Sequence, residues 1–99
     1  MTIEEIKEKV VPIAKEYGVS KVALFGSMAR GDSIINSDID LLVDKGASLK
    51  MKGWNFFGFC MALEEATNKK VDVVTYRDLE RSFLKKYALA EEVIIYEHE

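Results

Sequence analysis

The sequence predicts an α/β (α+β) domain in which a small mixed sheet is flanked by helices. Three short apolar segments have the length and composition of buried strands, and longer segments with helical spacing of apolar residues lie between them. The 99 residues have room for one hydrophobic core. We therefore expect a single domain over residues 1–99, in the element order α-β-α-β-α-β-α with a closing strand. The sequence leaves the strand directions open.

The first element is predicted to be a helix that ends at Gly18. Thr2 and Glu5 form a capping box, because each side chain can satisfy a free amide at the start of the helix. Apolar residues then recur at helical spacing, and glycine is a common helix terminator. Pro12 lies inside this helix, where it removes a hydrogen bond or introduces a bend. The apolar segment Lys21–Phe25 follows as the first strand.

The rest of the chain alternates strands and helices. Apolar runs, β-branched residues and helical spacing indicate the type of each element. The predicted elements are strands at Ile39–Val43 and Val71–Thr75, a helix at Trp54–Thr67, a helix opened by Thr75 and Asp78, and a strand at residues 93–96.

Composition and charge narrow the class of protein. A net charge of -3 argues against a general nucleic-acid binder, which would carry a basic face. The one cysteine, Cys60, cannot form an internal disulfide, and we interpret it as a small core residue. The acidic N-terminus is unlike a signal peptide, and no apolar run is long enough to span a membrane. We therefore expect a cytoplasmic protein without direct nucleic-acid or membrane contacts.

A glycine-serine corner follows the first strand. Gly26 ends the strand, and Ser27 stands where the next helix would begin. Free amides at a helix start bind phosphate, and a glycine lets phosphate oxygens approach the backbone. Arg30 lies one turn further and is a candidate phosphate contact. Alone, such a pattern most often marks a plain strand-to-helix corner capped by a serine, so it is weak evidence for a phosphate site.

Three aspartates form the stronger pattern. Asp38 and Asp40 lie two residues apart at the start of a strand, so their side chains are expected on one face. Asp72 lies among the valines of the third strand and would join them if that strand neighbours the second. Three carboxylates at a strand end suit Mg²⁺. The alternatives are an Asx-turn or solvated strand entry for the pair and a surface position on an edge strand for Asp72.

At these residues the chain resembles a known superfamily. The run Gly-Ser-x-Ala-Arg-Gly at 26–31, followed by Ser-Asp-Ile-Asp-Leu-Leu-Val at 37–43, is similar to the signature of the polymerase-β-like nucleotidyltransferases. The chain length is similar to that of the minimal nucleotidyltransferases within the superfamily. Residues 71–74 resemble the strand of the third carboxylate, and residues 90–96 resemble the usual ending. The resemblance thus covers nearly the whole chain and implies the nucleotidyltransferase fold.

The resemblance implies a donor, metals and a partner. ATP would be the donor. The catalytic residues would be Asp38, Asp40 and Asp72, which would hold two Mg²⁺ ions. The nucleotide would be bound by Gly26, Ser27 and Arg30. Asp72 is also a candidate general base. The resemblance also implies a partner, because minimal domains of this kind usually act beside a small helical HEPN toxin. The domain is then the antitoxin and transfers AMP to a tyrosine of the toxin, and the two proteins form a hetero-oligomer. Met28 departs from the family, which often has an arginine or an aromatic residue there.

Two other functions remain open at this point. One is an antitoxin that neutralises its partner by binding alone, and the other is an enzyme that adenylylates a small molecule. The three carboxylates favour an enzyme over a pure binder, whereas the absence of an added acceptor domain disfavours the small-molecule activity. Four aromatic residues, Trp54, Phe56, Phe57 and Phe59, are interpreted as core or as partner surface.

Overall fold

The computed structural model describes residues 2–26, 38–46, 54–80 and 92–98. In this part of the chain the secondary structure largely matches the prediction. The elements, in chain order, are α1 (Ile3–Tyr17), β1 (Lys21–Phe25), β2 (Ile39–Asp44), α2 (Trp54–Thr67), β3 (Val71–Thr75), α3 (Tyr76–Leu79) and β4 (Val93–Glu97).

The four strands form one mixed sheet in the order β3-β2-β1-β4. Strand β1 runs antiparallel to both β2 and β4, whereas β2 and β3 are parallel. Because of these directions, the C-terminal end of β1 meets the N-terminal ends of β2 and β3 at one edge of the sheet. The helix α2 lies in the crossover between the two parallel strands, a connection that a tight turn could not make.

The ends of α1 confirm the predicted capping signals. The Thr2 hydroxyl accepts a hydrogen bond from the Glu5 amide at 3.1 Å, and the Thr2 amide donates to the Glu5 carboxylate at 3.3 Å. Gly18 adopts a left-handed conformation with φ of 71°, and its amide donates to the carbonyl of Lys15 at 3.3 Å. Pro12 lies inside the helix on an exposed position, so its ring does not compete with the core.

In the described part of the chain, the two faces of the sheet carry hydrophobic cores of unequal size. Side chains of a strand alternate between its faces, so Ile39, Leu41 and Val43 of β2 point toward α1 and α2, while Leu42 points to the opposite face. The larger core also contains buried residues of the helices and the other strands, namely Ile6, Val10, Ala14, Val22, Leu24, Phe59, Leu63, Val71 and Ile95. The smaller core contains Ala23, Leu42 and Leu79 among the described residues, with half-buried Phe25, Val74 and Tyr76 packed against it.

The element bounds differ little from those expected. Strand β2 extends one residue further, to Asp44, and β4 extends to Glu97. Thr75 caps α3 by accepting a hydrogen bond from the Asp78 amide at 3.1 Å, as predicted. Cys60 is half-buried and so only borders the core. The predicted helix after Gly26, most of the loop before α2 and the continuation of α3 lie outside the described residues.

Among the described residues, no helix combines the length and the apolar composition needed to cross a bilayer.

Replacement of Thr2 by alanine tests the capping box. The free energy of unfolding should fall by about 1 kcal/mol, because the first turn of α1 loses a side-chain acceptor for an amide that has no partner inside the helix. Urea denaturation monitored by circular dichroism measures the change. Glu8→Ala, at an exposed position of the same helix, is the matched control, and an equal loss in both variants would contradict the role of the cap.

Candidate active site

Two aspartates lie side by side at the edge of the sheet where β2 and β3 begin. Asp40 of β2 and Asp72 of β3 are register partners on neighbouring parallel strands. Both point away from α1 and α2, since the residues on either side of Asp40 belong to the larger core. Asp40 is half-buried and Asp72 is exposed. The condition set by the sequence, that the third strand neighbours the second, is therefore met.

Asp38 lies at the same edge, one residue before β2 begins. Its side chain is exposed, and its charge acts on Asp40. Burial raises the pKa of the Asp40 carboxyl above its usual range, and the charges of Asp72 and Asp38 raise it further. All three aspartates thus belong to one electrostatic cluster, in which ionisation of Asp40 is costly until a cation compensates it.

Gly26 brings the end of β1 against the Asp40 carboxylate. Its φ is +76°, a conformation that strongly favours glycine, and a Cβ atom there would lie 2.6 Å from Asp40 Oδ2. The preceding residue, Phe25, is the register partner of Asp40 across the antiparallel pair. Glycine is therefore strongly favoured here for two reasons, the backbone conformation and the space that the carboxylate occupies. Ser27 and Arg30, the other predicted nucleotide contacts, lie outside the described residues.

The donor chemistry of this edge fits a hard divalent cation. Carboxylate oxygens are the ligands that Mg²⁺ prefers, and the three negative charges favour any cation that approaches them. Within the described ranges, however, no three acidic, histidine or cysteine side chains are placed closely enough to hold a metal ion. The ligand set Asp38, Asp40 and Asp72 therefore stays a prediction, based on sequence spacing and on the register of β2 with β3.

A second polar cluster was missed by the sequence analysis. The Tyr76 hydroxyl donates to Glu92 Oε2 at 2.7 Å, and Lys21 Nζ lies 3.6 Å from Glu92 Oε1 and 4.9 Å from the centre of the Tyr76 ring. Burial, followed by the hydrogen bond to Glu92, raises the pKa of Tyr76. The phenol is therefore a neutral donor that ties α3 to the residue before β4. No sequence signal marks this contact, because its partners are distant in the chain.

A cleft opens at the opposite end of β2 and β3 from the aspartates. Its volume is about 380 Å³, and it is lined by Val43, Asp44, Lys45, Gly46, Thr75, Tyr76, Arg77 and Asp78. Three of its polar groups already have partners: Asp44 Oδ1 accepts from the Gly46 amide, Thr75 Oγ1 accepts from the Asp78 amide, and the Tyr76 hydroxyl donates to Glu92. The cleft is separated from the carboxylate edge by the length of the strands and has no part in that site.

Comparison with known families shows which family the chain belongs to. A family model described as polymerase beta, nucleotidyltransferase matches residues 8–99. A protein of Methanocaldococcus jannaschii, named as a candidate protein adenylyltransferase, is 39% identical over 79 residues, which cover 80% of this chain and 83% of that protein. A second M. jannaschii protein with the same description is 35% identical over 99 residues, covering 96% of this chain and 97% of the relative.

Solved structures share the fold. A candidate minimal nucleotidyltransferase is 32% identical with a TM-score of 0.71, over 94% of this chain and 95% of that one. A toxin-antitoxin structure with AMP-PNP has a TM-score of 0.73 at 21% identity, over 94% of this chain and 74% of that one. A tri-AMPylated Shewanella oneidensis HEPN toxin in complex with its MNT antitoxin gives a TM-score of 0.68 at 17% identity, over 96% and 72% of the two chains. At these low identities, the last two comparisons concern the fold alone.

Replacement of Asp40 by asparagine tests the electrostatic cluster. Because the fold raises the pKa of Asp40, ionisation of this carboxyl costs stability. The cost is absent at pH values below the pKa of the unfolded chain, near 3.8, and grows as the pH rises through the folded pKa. Asp40→Asn should therefore be more stable than the parent protein at pH 7 in the presence of a chelator, and the gain should vanish near pH 3.5.

Urea denaturation at the two pH values measures this difference. Asp44→Asn is the matched control, since Asp44 lies on the same strand at its other, exposed end. A gain in Asp40→Asn that is the same at both pH values would mean that the effect is not one of charge.

Proposed function

The chain belongs to the polymerase β nucleotidyltransferase family, and we propose that it transfers AMP from ATP to a tyrosine of a HEPN-type toxin, acting as its antitoxin. The observation that carries the proposal is the placement of Asp40 beside Asp72 and against Gly26. This arrangement combines a carboxylate pair with a backbone corner that has no side chain. Nucleotidyl transfer needs both, because it depends on positioning the phosphates and on neutralising their charge.

Each residue has a distinct role in this proposal. Asp38, Asp40 and Asp72 would hold two Mg²⁺ ions, which stabilise the charge on the attacking and leaving oxygens when bound. The corner at Gly26 and Ser27 would hold the phosphates beyond the α-phosphate through backbone amides and a hydroxyl. Arg30 would add a positive charge to the same phosphates. The Gly26 backbone lies against Asp40, so phosphates held at this corner would be adjacent to the carboxylates.

The reaction is a displacement at the α-phosphorus. The tyrosine oxygen of the acceptor forms a bond to the α-phosphorus, the bond from that phosphorus to the bridging oxygen breaks, and pyrophosphate leaves with the bonding electrons. The phenolic proton passes to Asp72, the exposed member of the pair and therefore the carboxylate that an incoming protein can reach. Asp40, half-buried against Gly26, is less accessible and serves to position the donor.

A protein acceptor is favoured by relatives that are named as protein adenylyltransferases and are matched over most of their length. The M. jannaschii relatives named as candidate protein adenylyltransferases are matched over 83% and 97% of their own length, so the likeness extends over most of each protein. The choice of a HEPN toxin is supported by the S. oneidensis complex, in which a toxin that carries AMP is held by a protein of the same fold. The resemblance of residues 26–43 to the nucleotidyltransferase signature points to the same chemistry.

Nucleotide binding should depend on magnesium. Titration calorimetry with ATP should give measurable affinity with Mg²⁺ and little or none with a chelator, because the three carboxylates otherwise repel the phosphates. Asp38→Asn with Asp40→Asn should lose the difference between the two conditions. Equal ATP affinity of the parent protein with and without Mg²⁺ would contradict the three-carboxylate assignment, whereas Asp44→Asn should behave like the parent.

Transfer of AMP separates an enzyme from a binding-only antitoxin. In a co-expressed HEPN partner, mass spectrometry should detect AMP on a tyrosine with the parent protein. The Asp38→Asn, Asp40→Asn double variant should reduce this transfer by about 10³-fold or more, since the carboxylates and their metals supply several kcal/mol of transition-state stabilisation. Asp44→Asn should keep full transfer. A parent protein that adds no AMP, with a double variant that still neutralises the partner, would establish binding alone as the mechanism.

A further inference from the structure

The carboxylate of Glu64 holds the backbone at the start of β3. Glu64 lies in the last turn of α2, and its Oε2 atom accepts a hydrogen bond from the Val71 amide at 3.1 Å. This amide points away from β2. The Ile39 amide of β2 donates to the Lys70 carbonyl at 3.0 Å, and successive residues direct their backbone groups to opposite sides of a strand. Glu64 therefore supplies an acceptor to an amide on the outer side of β3.

The same residue closes the turn between α2 and β3. The carbonyl of Glu64 accepts from the Asn68 amide at 2.8 Å, and Asn68 adopts a left-handed conformation with φ of 55° just after the helix ends. Buried Thr67 adds a hydrogen bond from its hydroxyl to the Leu63 carbonyl at 2.8 Å. The three residues between α2 and β3 are thus held at both ends by Glu64, through its backbone and through its side chain.

The position of Val71 sets that of Asp72, the next residue along β3. The Val71 side chain is buried in the larger core, and its amide is bound to Glu64. Asp72 follows on the other side of the strand, beside Asp40. Because the Asp72 side chain is exposed, the location of its carboxylate depends mainly on the backbone that carries it.

Glu64 reaches the carboxylate pair through the backbone of β3. Helix α2, which carries Glu64, packs on the face of the sheet opposite to the one that Asp40 and Asp72 occupy. The Glu64 carboxylate is therefore not an additional ligand for a cation bound by the pair. Its contact with Val71 instead fixes where β3 begins beside β2.

We propose that Glu64 is a positioning residue for AMP transfer, which holds Asp72 in place beside Asp40 by binding the Val71 amide. The inference rests on the proposed function, in which Asp72 accepts the phenolic proton of the acceptor. Misplacement of a reacting group by about 1 Å can slow a reaction about 100-fold. The corner at Gly26 would still hold ATP, so loss of the Glu64 contact should lower kcat and leave the KM for ATP nearly unchanged.

Three substitutions separate the reach of the Glu64 side chain from its charge. Glu64→Gln keeps an oxygen acceptor at the same length, Glu64→Asp keeps the charge on a shorter side chain, and Glu64→Ala removes both. Glu65→Ala is the matched control, because Glu65 is the next residue of α2, carries the same charge and is exposed.

The kinetics of AMP transfer to the purified HEPN partner provide the main measurement. At saturating ATP, kcat should fall about tenfold or more in Glu64→Ala and Glu64→Asp, and should stay within about twofold of the parent in Glu64→Gln and Glu65→Ala. The KM for ATP should change by less than about threefold in all four variants. Urea denaturation sets an assay temperature at which every variant is folded, so a contact that only stabilises the fold would leave kcat unchanged. Should Glu64→Ala not fold, Glu64→Asp makes the comparison.

Amide hydrogen exchange measured by NMR reads the contact itself, without the partner. The Val71 amide should exchange about tenfold faster or more in Glu64→Ala and Glu64→Asp, and at nearly the parent rate in Glu64→Gln.

The outcomes separate this inference from the proposed function. An active parent protein whose Glu64→Ala and Glu64→Asp variants keep their kcat would overturn the positioning role alone. An equal loss of kcat in Glu64→Gln and Glu64→Ala would also overturn it, because the charge and not the reach of the side chain would then matter. A parent protein that transfers no AMP would overturn the proposed function, and the positioning role with it.

Discussion

The pairing of β2 with β3 in parallel register is the constraint on which the candidate site depends. It places Asp40 directly beside Asp72, although two carboxylates so close repel each other. What holds them there is the apolar side of the same strands. Ile39 and Leu41, which flank Asp40, are fully buried, and each contributes roughly 1.5–3 kcal/mol of burial free energy. A shift of the β2–β3 pairing by one residue would turn these side chains out of the core, so the hydrophobic pattern fixes the register and the register fixes the carboxylates.

The position of the last residues of β1 depends on the pairing of β1 with β2. Since β1 is antiparallel to β2, its last residues arrive at the edge where β2 begins, and Gly26 meets the Asp40 carboxylate there. Gly26 thus adopts the positive φ of the turn and leaves space for the Asp40 carboxylate. Gly26 could both make this turn and let phosphate approach the backbone, because the absence of a side chain at this position favours both.

The larger hydrophobic core and the aspartates of the candidate site lie on opposite sides of the sheet. Among the described residues, the larger core lies between the sheet and the helices α1 and α2, and the other side carries a smaller apolar cluster, the aspartates and the Tyr76–Glu92 hydrogen bond. Substitutions at the carboxylates therefore leave the main core intact. Helix α2 packs on the side of the larger core, yet its first turns expose Trp54 and Phe57 to solvent.

The sequence by itself determined the elements of the fold and indicated the family, and it predicted the residues of the site. Periodicity, the Thr2–Glu5 cap and the glycines fixed the bounds of α1, β1, α2 and β3, because these signals act over a few neighbouring residues. The spacing of Asp38 and Asp40 after Gly26 likewise indicated the family. Only the tertiary structure decided the strand directions, the register that joins Asp40 to Asp72, the contact of Gly26 with Asp40 and the pairing of Tyr76 with Glu92. These contacts join residues 14 to 32 positions apart, and local propensity carries no information about which distant segments pair.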